Sequence, residues 1–129
     1  MKSRDHIVRL KRFQVEERRR RVQQIEAMIA DFHRMATDLD REIANEETRS
    51  GISDPNHFAY PTYARAAATR RDNLKRSAEE LKEQAVDARI NLDTAMEEFQ
   101  KAESLEGRDK ASERAAKTGA DFPFGLASA

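Results

Sequence analysis

The sequence predicts an all-α fold: a long two-helix antiparallel coiled-coil hairpin with a short disordered C-terminal tail. Two long stretches carry apolar residues at seven-residue spacing, and one short segment containing proline and glycine separates them. Of the 129 residues, 48 are charged, in equal numbers of each sign, whereas there are only four glycines, three prolines and no tryptophan. A turn-rich β fold and a disordered chain both need more glycine and proline. The composition therefore favours long helices with a narrow apolar seam.

The first helix is predicted over residues 2–50, which contain neither proline nor glycine. An unbroken row of apolar residues supplies the a positions of its heptads: Val8, Val15, Val22, Ile29, Ala36 and Ile43. The d positions are basic at the start and apolar in the middle: Lys11, Arg18, Ile25, Phe32, Leu39 and Glu46. Met28 and Met35 widen the apolar face, so this stretch is compatible with more than one neighbouring helix.

A loop is predicted over residues 51–61, beginning where Gly51 can take the left-handed conformation that ends a helix. Two starts of the second helix are open, one at Ser53 or Asp54 with Pro55 in the first turn and one at Pro61. Three aromatic residues lie around this bend: Phe58, Tyr60 and Tyr63. We expect them to close the open end of the coiled coil; the alternative is a tip that contacts a partner.

The second helix is predicted over residues 62–115, in a single domain that ends near residue 116. Its two apolar rows are rich in alanine, and they are Leu74, Leu81, Ala88, Ala95 and Ala102 with Ala78, Ala85, Leu92 and Phe99. The short link makes the helices antiparallel and brings Val15 near Ala95. Residues 117–129 lack heptads and are predicted to be a flexible tail, in which Phe122 and Phe124 are either disordered or a short docking segment.

Charge supports the same antiparallel register. Residues 1–24 sum to +6 and residues 25–50 to −4, whereas residues 62–77 sum to +4 and residues 78–113 to −6. Folding back about residue 55 places the basic start of the first helix beside the acidic end of the second, and the acidic end of the first beside the basic start of the second.

No catalytic, cofactor or metal motif is present in the sequence. His6, His33 and His57 share no ligand spacing, and the carboxylates of Asp38 and Asp40 lie on a predicted helix rather than in a calcium loop. There is no cysteine and no apolar run long enough to cross a membrane. We therefore expect a protein without enzymatic activity, without a cofactor and without direct membrane insertion.

The candidate partner-binding surface is the basic start of the first helix, where an exposed phenylalanine accompanies a run of arginines: Arg9, Arg12, Phe13, Arg18, Arg19, Arg20 and Arg21. Phe13 occupies an f position, outside the seam. Part of the charge is expected to be neutralised by Glu16–Arg20 and Glu17–Arg21 pairs. The surplus predicts an acidic partner. Nucleic acid is disfavoured, because the a row continues through this segment and keeps it in the coiled coil.

Two stretches resemble the flagellar export protein FliJ family, in its α-proteobacterial branch. The first covers residues 7–32, from IVRLKRFQVEERRRRVQQIE into AMIADF, and the second comprises the loop GISDPNHFAYPTY at residues 51–63 and RRDNL at residues 70–74. The similarity extends over roughly residues 1–105. After Gly107 the glycine-rich ending departs from the long charged helical ends typical of the family.

The resemblance implies a component of the bacterial flagellar type III protein export apparatus, needed for flagellum assembly and so for motility and chemotaxis. Members of the family form stalk-like antiparallel coiled coils. The implied partners are the hexameric flagellar export ATPase, the cytoplasmic domain of the export gate and the export chaperones. The implied location is cytoplasmic and peripheral to the cell membrane at the flagellar base.

Two other functions are compatible with the sequence. One is a stand-alone coiled-coil scaffold, suggested by Met28 and Met35. The other is an export chaperone that binds secreted substrates without the ATPase.

Overall fold

Two long α-helices make up almost all of the described chain. The structure, a computed structural model, describes residues 2–120, with side chains for residues 4–117. Helix α1 is Lys2–Ser50, helix α2 is Thr62–Ala120, and these residues include no strand, so the all-α prediction is confirmed. Helix α2 continues five residues beyond its predicted end, since alanine and lysine favour helix and a single glycine is tolerated. The remaining predicted tail, with Phe122 and Phe124, lies outside the described residues.

The chain divides into two compact units. The terminal unit combines the residues up to Arg20 with those from Arg89 onward, and the bend unit comprises Arg21–Ala88. Both helices contribute to each unit. No helix within the described range is long and apolar enough to cross a membrane.

In the terminal unit, the start of α1 and the end of α2 pack in opposite directions. The buried residues are Val8 and Val15 from α1 with Ala95 and Ala102 from α2. Two ion pairs join the helices, at 2.7 Å between Arg4 and Asp109 and at 3.1 Å between Lys11 and Glu98. Both have the basic partner on α1 and the acidic partner on α2, as the charge pattern predicts.

The bend unit is a helical hairpin. Its core combines larger apolar residues of α1 with an alanine-rich face of α2: Val22, Ile25, Ala36 and Ile43 with Ala64, Ala67, Ala78, Leu81, Ala85 and Ala88. Across the hairpin, Arg71 of α2 contacts Asp40 of α1 at 3.0 Å, which reverses the polarity of the pairs in the terminal unit. The predicted charge register is therefore confirmed in each unit separately.

The loop that joins the helices is held by backbone and side-chain hydrogen bonds. Gly51 has φ of 74°, and its N–H donates to the Glu47 carbonyl at 2.9 Å, which ends α1 as predicted. The Pro61 carbonyl accepts from the Arg65 N–H at 3.1 Å, so α2 begins just after Pro61. Asp54, the other predicted start, forms a turn instead, in which Oδ1 accepts from the Asn56 N–H at 2.9 Å.

The three aromatic residues of the bend have different environments. Tyr60 is buried with Ile43, Ala64 and Ala67, which confirms that it closes the end of the core. The Tyr63 ring is half exposed, and its hydroxyl donates to Glu42 at 2.8 Å. Phe58 is 94% exposed and stacks on His57, with ring centroids 4.7 Å apart. The prediction that Phe58 helps to close the core is therefore wrong, because two successive turns of the loop hold its ring in solvent.

Candidate partner-binding surface

The outward face of α1 in the terminal unit carries the exposed phenylalanine that the sequence singled out. Val8 and Val15 are buried in the core of the terminal unit, and Phe13, five positions after Val8 and two before Val15, lies on roughly the opposite side of the helix at 3.6 residues per turn. The Phe13 side chain is 56% exposed. An aromatic ring of that size in water leaves apolar area that binding to a partner would remove from solvent.

The four consecutive arginines are not equivalent. Arg18 lies 3.2 Å from the Glu17 carboxylate, and Arg19 lies 3.7 Å from that of Glu16. The predicted pairs of these glutamates with Arg20 and Arg21 are wrong. Glu16 contacts the guanidinium at i+3, which lies as near on the helix surface as i+4 does, and Glu17 contacts that of the adjacent Arg18.

Other cations of this segment are engaged by α2. The Arg12 guanidinium lies over the Phe99 ring, 5.5 Å from its centroid. This cation–π contact covers the edge of the apolar interface between the helices. Lys11 both donates a hydrogen bond to Glu98 and forms an ion pair with it at 3.1 Å. Arg12, predicted as a partner contact, therefore serves the internal packing of the terminal unit.

Arg9 and Arg20 remain as exposed cations, and neither lies within ion-pair distance of a described carboxylate. A hydrogen bond to Glu106 lowers the pKa of Asp5, and the charge of Arg9, one turn away, contributes in the same direction. Arg9 lies one helical turn before Phe13, and Arg20 lies two turns after it, so both flank the ring on the same side of α1. Arg21 is also exposed but belongs to the bend unit. Of the seven predicted residues, the structure thus groups Arg9, Phe13 and Arg20.

Sequence reasoning missed two residues of this surface. Ile7 is 46% exposed and Leu10 is 48% exposed, although both are large aliphatic residues. They precede Phe13 at successive three-residue intervals, outside the a and d rows. Their three-residue spacing could have identified them from the sequence. An apolar row that lies outside the a and d positions has no apolar neighbour within the helix pair. We name Ile7, Leu10 and Phe13 the Phe13 stripe.

Clefts elsewhere in the described chain are shallow. In the terminal unit, a polar cleft of about 320 Å³ lies between the helices beside Lys11, Arg18 and Glu98. In the bend unit, one of about 250 Å³ lies beside Met35 and Tyr63. The described residues include no cluster of three metal-ligating side chains.

The fold and this surface define a class of protein: an all-α chain of two long helices with an apolar and basic stripe on the outside of α1. Comparison with models of known protein families, with curated proteins and with solved structures found no match.

Proposed function

We propose that the chain is a non-enzymatic coiled-coil component of the bacterial flagellar type III protein export apparatus. In this role it is a stalk-like partner of the hexameric export ATPase and of the export gate, and it acts in the cytoplasm, peripherally at the membrane of the flagellar base. Export chaperones are further partners. The resemblance of residues 7–32, 51–63 and 70–74 to the FliJ family supports the proposal, as does a fold that consists of two long helices.

The main observation in support of a binding role is which of the arginines around Phe13 form ion pairs and which do not. Arg18 and Arg19 form exposed ion pairs within α1, whereas Arg9, which acts on Asp5 only from a longer distance, and Arg20 lie within ion-pair distance of no described carboxylate beside the exposed aromatic ring. Exposed cations increase the rate of encounter with an acidic partner, and a desolvated aromatic ring supplies affinity once contact is made. A helix surface with both features is typical of a protein that binds another protein.

The test is binding of the purified chain to the flagellar export ATPase and, separately, to the cytoplasmic domain of the export gate. The variant Arg9→Glu/Arg20→Glu reverses the two available charges and should weaken binding at least about tenfold, with the helical circular dichroism unchanged. Binding of the wild-type chain should also weaken as salt is raised.

A matched control reverses two arginines elsewhere on α1. Arg34 and Arg41 are exposed and form ion pairs within α1 with Asp31 and Asp38. Arg34→Glu/Arg41→Glu changes the net charge by the same amount and should leave binding to the ATPase and gate within about twofold. If neither protein binds the wild-type chain, the proposed function is wrong.

A stand-alone scaffold is the second candidate, and Met28 is the residue that favours it. Its side chain is 43% exposed on α1 of the bend unit, where a further helix could cover it. Sedimentation of the isolated protein separates the two functions. A stable oligomer that does not bind the ATPase favours the scaffold, whereas a monomer that binds it favours the export component.

A further inference from the structure

We propose, building on the export function above, that Phe58 at the bend is a pre-organised anchor that inserts into an uncharged apolar pocket of a protein partner. Three properties of the loop at residues 51–61 support this role: the exposure of one ring, the hydrogen bonds that fix its backbone, and the scarcity of charge around it.

Phe58 is the most exposed of the large apolar residues in the described chain. It is 94% exposed, whereas the next, Val86, is 57% exposed. Tyr60 is already buried in the core of the bend unit, and Ile52 is half-buried against that core. Phe58 is therefore the large apolar side chain of the loop that a partner can still remove from water.

Hydrogen bonds on both sides of Phe58 fix the backbone that carries the ring. The His57 N–H donates to the Asp54 carbonyl at 3.0 Å, and the Tyr60 N–H donates to the His57 carbonyl at 3.0 Å. His57 Nδ1 accepts from the Ala59 N–H at 3.0 Å, and the Phe58 ring stacks on the imidazole that this bond orients. A ring held in this way loses little conformational entropy on binding, so its pre-organisation adds to affinity.

The loop carries little charge, although the chain as a whole is highly charged. Asp54 is its one acidic residue, and it includes no lysine or arginine. The flanking arginines are engaged, since Arg49 forms an ion pair with Glu46 at 3.1 Å and the Arg65 guanidinium lies over the Tyr60 ring. The surface that complements the exposed ring is therefore an apolar pocket wall rather than a charged group.

Other occupants fit this loop less well. Binding of single-stranded nucleic acid needs cations beside the stacking ring, and the loop offers the Asp54 carboxylate instead. An anionic membrane meets the same mismatch of charge, and one phenyl ring is a small membrane anchor. A second copy would have to supply the pocket, but the cleft of the bend unit is shallow and is lined in part by the charged residues Asp38, Glu42 and Arg70.

The test measures the binding kinetics of the full chain with the export ATPase and, separately, with the cytoplasmic domain of the export gate. A buried anchor acts mainly on the dissociation rate. Phe58→Ser should dissociate at least about tenfold faster than the wild type from a protein that binds the chain. This ratio should be the same at low and high salt, because the substitution removes no charge. Phe58 is exposed, so the variant should retain the wild-type circular dichroism and melting temperature.

Matched variants separate an apolar pocket from a general apolar effect. Val86→Ser removes another exposed apolar side chain of the bend unit and should leave the dissociation rate within about twofold of the wild type. Phe58→Leu keeps an apolar side chain of similar size and should accelerate dissociation less than Phe58→Ser does. Phe58→Trp should also dissociate faster than the wild type, because an indole overfills a pocket shaped for a phenyl ring.

Vesicles of phosphatidylcholine with phosphatidylglycerol are the lipid arm of the test. A membrane interface favours tryptophan, so vesicle binding that depends on Phe58 and increases in Phe58→Trp would replace the protein pocket with a membrane. Self-association in sedimentation that Phe58→Ser abolishes would replace it with a second copy. Either result would overturn the proposal.

The outcome for the export function is read separately. If the ATPase or the gate binds the wild-type chain and Phe58→Ser dissociates at the wild-type rate, the export function stands and the anchor is wrong. If neither protein binds the wild-type chain, the export function is wrong, and the anchor, which is defined by those partners, is wrong as well.

Discussion

The hydroxyl of Tyr60 donates a hydrogen bond of 2.9 Å to Glu47, in the last turn of α1. The Tyr60 ring packs against Ile43, and the Arg65 guanidinium lies 5.5 Å from the ring centroid. One side chain in the loop thus contacts the end of α1 and the first turn of α2. This contact fixes how the chain reverses direction in the bend unit.

Replacing Tyr60 should therefore destabilise the hairpin. We expect Tyr60→Ala to lower the melting temperature by roughly 5–10 °C, because it removes a buried ring and leaves a cavity. Tyr60→Phe keeps the ring and should cost less. Phe58→Ala is the matched control, since that ring is 94% exposed, and it should leave the melting temperature unchanged. Equal losses for Tyr60→Ala and Phe58→Ala, measured by thermal circular dichroism, would contradict this account.

Stability should fall at alkaline pH through the two tyrosines of the bend. Burial and the hydrogen bond to Glu47 raise the pKa of Tyr60, and the hydrogen bond to Glu42 together with burial raises the pKa of Tyr63. A raised pKa in the folded state favours the protonated tyrosine there. This contribution is complete below the unfolded pKa of about 10 and is lost as the pH rises through the folded pKa.

The measurement is urea denaturation at a series of pH values from neutral to above 10. The wild-type free energy of unfolding should fall more steeply over the alkaline range than that of Tyr60→Phe/Tyr63→Phe, which has no phenol to ionise. All other ionisable groups are the same in the two proteins, so the difference between the two curves isolates the tyrosines. Parallel curves would show that the hydroxyl hydrogen bonds do not contribute.

Replacing either of two glycines with alanine should change the free energy of unfolding, but in opposite directions. Gly51 has φ of 74° and no atom within 4 Å of an added Cβ, so Gly51→Ala carries backbone strain alone. It should destabilise the protein by about 1 kcal/mol. Gly107 lies inside α2, also with open space, and Gly107→Ala should stabilise by about 0.5–1 kcal/mol through helix propensity. Chemical denaturation of both variants measures the two changes in the free energy of unfolding. Two changes in the same direction would be inconsistent with the loop geometry.

At Ala78, the alanine-rich face of α2 should not tolerate a larger residue. Ala78 is fully buried, and Ala78→Leu adds three carbons where the helices are in close contact. We expect a loss of about 1–3 kcal/mol. Ala66 is exposed on the same helix, and Ala66→Leu should change the free energy of unfolding by less than about 0.5 kcal/mol. Similar values for the two substitutions would mean that Ala78 is not at a packed contact.

The pair of Arg71 and Asp40 should contribute a small coupling energy. Arg71 also contacts Asp72 at 3.1 Å, and these two carboxylates raise the pKa of its guanidinium. A double-mutant cycle of Asp40→Ala and Arg71→Ala should give about 0.2–1 kcal/mol, since both side chains are partly exposed. The coupling should shrink in high salt. A value that does not change with salt would argue against an ion pair.

The fold was predictable because heptads, loop chemistry and charge all favour one arrangement. Val8, Val15 and Ile43 occupy a positions and are buried, and Gly51 has the left-handed φ that a helix end before a short loop requires. These features follow from the order and spacing of residues in the sequence, so they can be predicted without a structure.

The details of the binding surface were less predictable. Whether Glu16 pairs with Arg19 or Arg20 depends on rotamers, since both arginines are within reach on the helix. The contact of Arg12 with Phe99 depends on the direction in which each side chain extends from the coiled-coil interface. Residue spacing alone does not determine that direction. Phe58 and Tyr60 are two positions apart, yet one is exposed and the other buried because of how the loop turns between them.

The many alanines along α2 have a consequence for how the protein moves. Each alanine removes little apolar surface from water, so cohesion along the bend unit accumulates from many small contributions. A turn or two of the helix pair can then separate at modest cost while the rest stays closed. Amide hydrogen exchange should therefore be graded along α2 in the bend unit, slowest beside Leu81 and faster where alanine alone lines the contact.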